Sequence, residues 1–175
     1  MAGPAAKEPH KTSVLVVDND FHTCQLLKRT LEQAGYETTV YNDPHAVDPK
    51  TAAWRYQIAV LDFEMPGMTG IDLFKRLRQY DPIMDAIILT GQAEYKDAIA
   101  GYRAGIASWV TKPWHREDLL AEIARVLSRR QTLFKRLTEE SKTFNSANIG
   151  ARLRATENIA NSTRDQIRTL RQRRD

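Results

Sequence analysis

The chain has one cysteine, Cys24, which excludes an internal disulfide and fits a reducing compartment. Cys24 falls inside a predicted helix, where a buried thiol is expected rather than a reactive one. No apolar run approaches the roughly 18 residues that suggest a membrane span, so no membrane partner is expected. The opening residues, Met1 to His10, have no apolar core of a signal peptide and read as a disordered lead-in over 1–11, with a cytoplasmic location expected. The four histidines (His10, His22, His45 and His115) are scattered, so neither a zinc site nor a catalytic dyad emerges. Acidic residues are scarce at one end only. Residues 1–120 hold 13 Lys+Arg against 16 Asp+Glu, net −3, whereas residues 121–175 hold 13 against 6, net +7. The overall charge of +4 therefore belongs to the tail.

What is present is a core. At 175 residues with 42% apolar content, one domain plus an extension is the natural reading. Ile58 to Leu61 is a short apolar run that ends on Asp62, followed by a loop with Pro66, Gly67 and Gly70 and then a helical pattern from Ile71. Three other apolar runs end on matching chemistry. Val14-Leu15-Val16-Val17 runs into Asp18-Asn19-Asp20, Ala86-Ile87-Ile88-Leu89 into Thr90-Gly91, and Ser108-Trp109-Val110-Thr111 into Lys112-Pro113. In an open α/β sheet the carboxyl ends of the strands line the ligand crevice. A parallel sheet would gather these four tips into one pocket of carboxylates, a hydroxyl and an ammonium. Hard oxygens hold Mg²⁺, Asp62 is a candidate nucleophile, and Thr90 with Lys112 can bind phosphoryl oxygens.

The remaining elements fit between these runs. Strand one spans about 13–17, and Asp20 caps a helix over 21–34 that Gly35 ends. Thr38-Thr39-Val40-Tyr41 is strand two. Asn42-Asp43-Pro44 caps a weak helix, which Pro49 interrupts before Trp54. Strand three is 57–61 and helix three 70–79, with Leu73, Phe74 and Leu77 on one face; Asp81-Pro82 marks a turn. Strand four is 86–89, helix four 93–103, Gly105 a stop, and strand five 107–110. This alternation predicts right-handed βαβ units and a five-stranded doubly wound α/β domain over 12–128.

The motifs at 14–20, 61–70, 88–91 (Ile-Leu-Thr-Gly) and 111–114 (Thr-Lys-Pro-Trp), in this order, make the chain resemble the response-regulator receiver domain of two-component signalling. The resemblance covers about residues 12–128 and implies a flavodoxin-like sheet. It implies that Asp62 accepts a phosphoryl group from a sensor histidine kinase or phosphotransfer protein. Asp18, Asn19, Asp62 and the Glu64 backbone carbonyl would hold Mg²⁺, and Thr90 and Lys112 would bind the phosphorylated product. By the same resemblance the Lys112–Pro113 bond is cis, and Glu64 and Gln92 stand where relatives tune phosphoryl lifetime. Trp109 stands where the family often has a Tyr or Phe that moves inward with Thr90, surface packing being the alternative. One position departs. The family usually has two adjacent acids after strand one, and here the second is Asn19, so Mg²⁺ affinity should fall. A degenerate, phosphorylation-independent receiver acting as a scaffold is the alternative that this departure raises. Asp20 is a spare carboxylate, more plausibly a helix cap.

From Arg116 onward no strand is predicted. Leu120, Ile123, Leu127, Phe134, Leu137 and Phe144 follow a heptad-like spacing, broken by Arg130 and Ser141. Ile149, Leu153, Thr156, Ala160, Thr163, Ile167 and Leu170 continue in a shifted register. Two helices are predicted, 116–144 and 151–172, with a break at 145–150, giving a coiled-coil-like helical extension over 129–175. A hairpin, a dimeric coil, or a linker to a further output domain all fit this pattern. Signalling would pass through protein–protein contact or a homodimer built on the tail or on helices four and five. The basic tail (Arg152, Arg154, Arg164, Arg168, Arg171, Arg173, Arg174) raises nucleic acid as a partner. Against that stand the lack of a helix-turn-helix, of interleaved aromatics and of a basic-zipper pattern. Asp18-Asn19-Asp20 is also similar to the start of haloacid-dehalogenase-type phosphatases. Those need a small hydroxyl residue where His22 stands, and the candidate late acidic pair, Glu117-Asp118, opens helix five. A dedicated enzyme is not expected.

Overall fold

A computed structural model describes residues 11–91, 95–136 and 138–142, except for the Tyr95 side chain. The chain divides after Ser128 into two units. In the first, β1 (Ser13–Val17), β2 (Glu37–Tyr41), β3 (Ile58–Asp62), β6 (Asp85–Thr90) and β7 (Ser108–Thr111) form one parallel sheet in the order β2-β1-β3-β6-β7. Helices α1 (Phe21–Gln33), α2 (Pro49–Ala52), α3 (Gly70–Arg78) and α4 (Tyr95–Ala104) connect the strands, and a helix from 116 follows β7.

The central strands read as unbroken apolar runs because both of their faces are covered. Alternate side chains go to opposite faces. Leu15, Val17, Ala59, Leu61, Ala86 and Ile88 join Leu73, Phe74 and Leu77 of α3 in one core layer. Val14, Val16, Ile58, Val60, Ile87 and Leu89 join Leu27 and Leu31 of α1 in the other. That second layer also takes Leu119, Ile123 and Val126, with Leu120 and Leu127 partly buried beside them. The apolar spacing that predicts a helical seam is therefore, over 119–127, the face by which the last helix of this unit covers its own sheet.

Local chemistry sets the ends of the helices. Asp20 caps α1, its carboxylate accepting from the His22 amide at 2.8 Å and the Thr23 hydroxyl at 3.0 Å. Thr69 and Asp72 form a reciprocal capping box at the start of α3. Strand β3 runs one residue further than its apolar run, so Asp62 lies in the ladder opposite Leu89. Two short features are absent from the sequence reading. Glu64–Met65 (β4) and Met68–Thr69 (β5) pair as a two-residue antiparallel hairpin. Pro49 does not interrupt a helix. A 3₁₀ turn at Pro44–Ala46 ends first, and Pro49 begins α2 behind the Asp48 cap, a position where proline's missing N–H costs nothing.

In the second unit residues 129–136 and 138–142 are helical. The Arg130 guanidinium lies over the Phe134 ring, 5.5 Å from its centroid, and the Thr138 hydroxyl donates to the Phe134 carbonyl. Phe134, a predicted seam residue, is exposed there. The predicted lead-in through residue 10, Gln92, Leu137, the end of the first tail helix at 143–144, the break at 145–150 and the helix at 151–172 lie outside the described residues. Among the described residues no helix is long and apolar enough to cross a membrane.

Candidate functional site

The carboxyl ends of β1, β3, β6 and β7 bring together residues that are far apart in sequence. Asp18 and Asp62 are almost completely buried, 1% and 7% exposed. Burying two carboxylates side by side is unfavourable unless a cation pairs with them. Lys112 does so, its Nζ donating to Asp18 Oδ2 at 2.7 Å and to Asp62 Oδ1 at 2.8 Å. Asp18 Oδ1 accepts the Asp20 backbone N–H at 2.9 Å, so both oxygens of that carboxylate are held.

Burial pushes the Asp62 carboxyl above its usual range, against the pull of the Lys112 hydrogen bond. Burial also disfavours the Lys112 ammonium, but the hydrogen bonds to Asp18 and Asp62 outweigh it, and its pKa rises. The pair is thus held with Lys112 charged and Asp62 more basic than an exposed aspartate.

Asn19 completes the acidic corner. With its carboxamide oriented so that donors meet acceptors, the nitrogen donates to Asp62 Oδ2 at 3.0 Å and to the Glu64 carbonyl at 3.1 Å. A concave surface lined by Asn19, Asn42, Asp43, His45, Pro66 and Gly67 opens beside it. Asp20, the spare carboxylate of the sequence, is spent on the α1 cap. Among the described residues no group of three or more His, Cys, Asp or Glu is placed to hold a metal ion by itself. The donors here are two carboxylates, one backbone carbonyl and one carboxamide. All can present hard oxygen, so the set fits Mg²⁺ by chemistry, with one charge fewer than a three-acid site.

Thr90 ends β6 beside this corner. It is 4% exposed, and its hydroxyl has no hydrogen-bond partner, which is rare for a buried polar group. The Lys112 backbone N–H donates to the Thr90 carbonyl at 2.7 Å, tying the two residues together. The Lys112–Pro113 bond is cis. Trp109, opposite Ile88 in the ladder, is half-buried, its ring 5.8 Å from that of Phe63 and lying across Gly101 of α4.

Several residues support the site from outside its ligand set. The Cys24 thiol, whose pKa burial raises, donates to the Asp18 carbonyl at 3.0 Å, so the lone cysteine braces the strand end. Gly70 is needed because a Cβ there would meet the Asp62 carbonyl oxygen; its absence lets α3 start against the end of β3. Gly101 makes the same kind of room for the Trp109 ring. Only the apposition of α4 and β7 reveals that notch. Gly101→Ala should displace the indole, destabilise the fold by about 1–3 kcal/mol as overpacking does, and shift Trp109 emission in a background lacking Trp54 and Trp114. Unchanged stability and emission would contradict this packing.

A model of the response regulator receiver domain family matches residues 14–124. The chain is 32% identical over 135 residues to an uncharacterized transcriptional regulatory protein, YkoG, of Bacillus subtilis, covering 77% of this chain and 57% of that one. It is 29% identical over 135 residues to the C4-dicarboxylate transport transcriptional regulatory protein DctD of Pseudomonas aeruginosa, covering 77% and 29%. The chain thus spans less than two thirds of the length of either relative. Among solved structures, a CheY-like receiver domain from Methanospirillum hungatei superposes with a TM-score of 0.66 at 26% identity, over 70% of this chain and 98% of that one. The chemotaxis protein CheY4 of Vibrio cholerae superposes with a TM-score of 0.62 at 29% identity, over 66% and 98%.

Proposed function

The chain belongs to the response regulator receiver domain family, and from that premise we propose that Asp62 is its phosphoacceptor. The observation that carries this reading is Thr90, a buried hydroxyl with no partner whose backbone is bonded to Lys112, the cation on Asp62. A phosphoryl group on Asp62 would give both groups oxygens to bind.

In this reading a carboxylate oxygen of Asp62 forms the new O–P bond as the phosphorus bond to the donor's leaving group breaks. The donor is a phosphohistidine of a sensor kinase or phosphotransfer protein. Lys112 neutralises charge on Asp62 and on the phosphoryl oxygens, and Asp18 keeps Lys112 charged and in place. Thr90 donates its hydroxyl to a phosphoryl oxygen. Asp18, Asp62, the Glu64 carbonyl and Asn19 would hold Mg²⁺, which when bound supplies charge neutralisation for in-line transfer. Positioning and electrostatics do the rest. The chain is an acceptor rather than a dedicated enzyme, and acts in the cytoplasm.

Its output passes through the unit beginning at Arg129, by protein contact or dimerisation. The transcriptional regulators it resembles suggest output onto nucleic acid as an alternative. Asn19 favours a second reading, a scaffold that works without phosphorylation. The two readings separate when the protein is incubated with Mg²⁺ and acetyl phosphate and its intact mass recorded beside Asp62→Asn. The phosphoacceptor gains one phosphoryl group that the variant does not. A folded protein that gains none, while a known receiver labels in parallel, is a scaffold.

A further inference from the structure

Asp62 Oδ2 and the Glu64 carbonyl oxygen are both acceptors, and both lie within hydrogen-bond distance of the Asn19 carboxamide. In a metal-free site they need donors. A carboxamide nitrogen carries two N–H groups, and in the orientation that matches donors to acceptors that of Asn19 lies 3.0 Å from one and 3.1 Å from the other. Lys112 already occupies Asp62 Oδ1 and Asp18 Oδ2. Between them, Asn19 and Lys112 supply donors to both Asp62 oxygens without any metal ion.

We propose that Asn19 is a latch that stands in for the divalent cation, closing the corner in the metal-free protein and opening only when its carboxamide turns over. The nitrogen that bonds Asp62 and Glu64 cannot ligate a cation. To help hold one, the side chain must rotate its oxygen into the corner and give up both hydrogen bonds. A cation therefore competes with a satisfied site rather than entering a strained one. An aspartate at this position would do the opposite, adding a third carboxylate to two acceptors and leaving all of them short of donors until a cation arrives. This chain is thereby set to rest metal-free and to require a higher cation concentration before Asp62 is ready. The inference rests on reading this corner as the cation and phosphoryl site, but it is measured without any phosphoryl donor.

The test is the full chain and its Asn19→Asp variant, titrated with Mg²⁺ by calorimetry and melted in chelator and in saturating Mg²⁺. The variant should bind Mg²⁺ at least about tenfold tighter, since it gives up no hydrogen bonds on binding and adds one negative charge to the site. It should melt below the parent in chelator and above it in saturating Mg²⁺, a crossover that a merely structural role for Asn19 would not give. Equal affinity, or a variant that melts lower in both conditions, overturns the latch. Should the variant not fold, the parent alone decides by NMR. Its Asn19 side-chain NH₂ protons should lie downfield in chelator, as hydrogen-bonded protons do, and move to ordinary carboxamide positions as Mg²⁺ saturates. Ordinary positions in chelator overturn the latch. A protein that passes this test yet takes no phosphoryl group keeps the latch and loses the phosphoacceptor reading; the reverse result separates them equally.

Discussion

Lys112→Met should destabilise the metal-free protein by about 2–4 kcal/mol, because removing one partner of a buried ion pair leaves uncompensated charge. The loss here is doubled in kind, since Lys112 serves both Asp18 and Asp62 and both carboxylates are buried. Partial exposure of the lysine, 26% of its side chain, lets water reach the gap and keeps the figure at the lower end. The deficit should depend on pH with a defined sign. Asp62 has a folded pKa above its unfolded value of 3.8, so the folded state binds the proton more readily. Stability linked to it is present below 3.8 and lost as pH rises through the folded value. Without Lys112 the two carboxylates face each other unscreened, which raises the folded value further. The gap between Lys112→Met and the parent should therefore be widest at neutral pH and narrow on acidification towards 3.8. Thermal melts in chelator across that window test this. A gap that is constant, or that widens as pH falls, would contradict the pairing. Phosphoryl yield should fall as well, since the same ammonium neutralises the product.

Thr90→Val should separate stability from response. The Thr90 hydroxyl is buried without a partner, so it contributes desolvation cost and no bond. Replacing a group of that kind with an apolar one of the same shape is near neutral, or stabilising by up to about 1 kcal/mol. The unphosphorylated variant should match or exceed the parent in a melt. On treatment with acetyl phosphate, the parent should gain stability as the hydroxyl finds a phosphoryl oxygen, and the variant should not. A clear loss of stability in the unphosphorylated variant would mean that the hydroxyl already has a partner.

Much of this was legible in the sequence because parallel strands announce themselves. Val14–Val17, Ile58–Leu61 and Ala86–Leu89 are apolar throughout since both faces are covered, and each ends where the core ends. Asp18, Asp62 and Thr90 are the first chemistry after those runs, and that position marks them; Lys112 follows the mixed strand Ser108–Thr111. What stayed hidden depends on contact between distant residues. Lys112 bridges acids 94 and 50 residues away, and Gly101 makes room for Trp109. Neither follows from local pattern. The role of Asn19 depends on which end of its carboxamide faces Asp62, and only the assembled acceptors decide that. Over 119–127 the heptad-like spacing did not say what the helix packs against, for a related reason. An apolar helix stripe has the same period whether it meets a partner helix or its own sheet, and Ile123 is buried on the sheet.

The most direct test of Asp62 as phosphoacceptor is to locate the phosphoryl group. After incubation with Mg²⁺ and acetyl phosphate, the acyl phosphate is reduced with borohydride and the protein digested and sequenced by mass spectrometry. The expected result is a single modified residue, Asp62, in a fraction that falls to none when Mg²⁺ is chelated. Modification at Asp18, Asp20 or a histidine instead, with Asp62 untouched, would contradict the assignment.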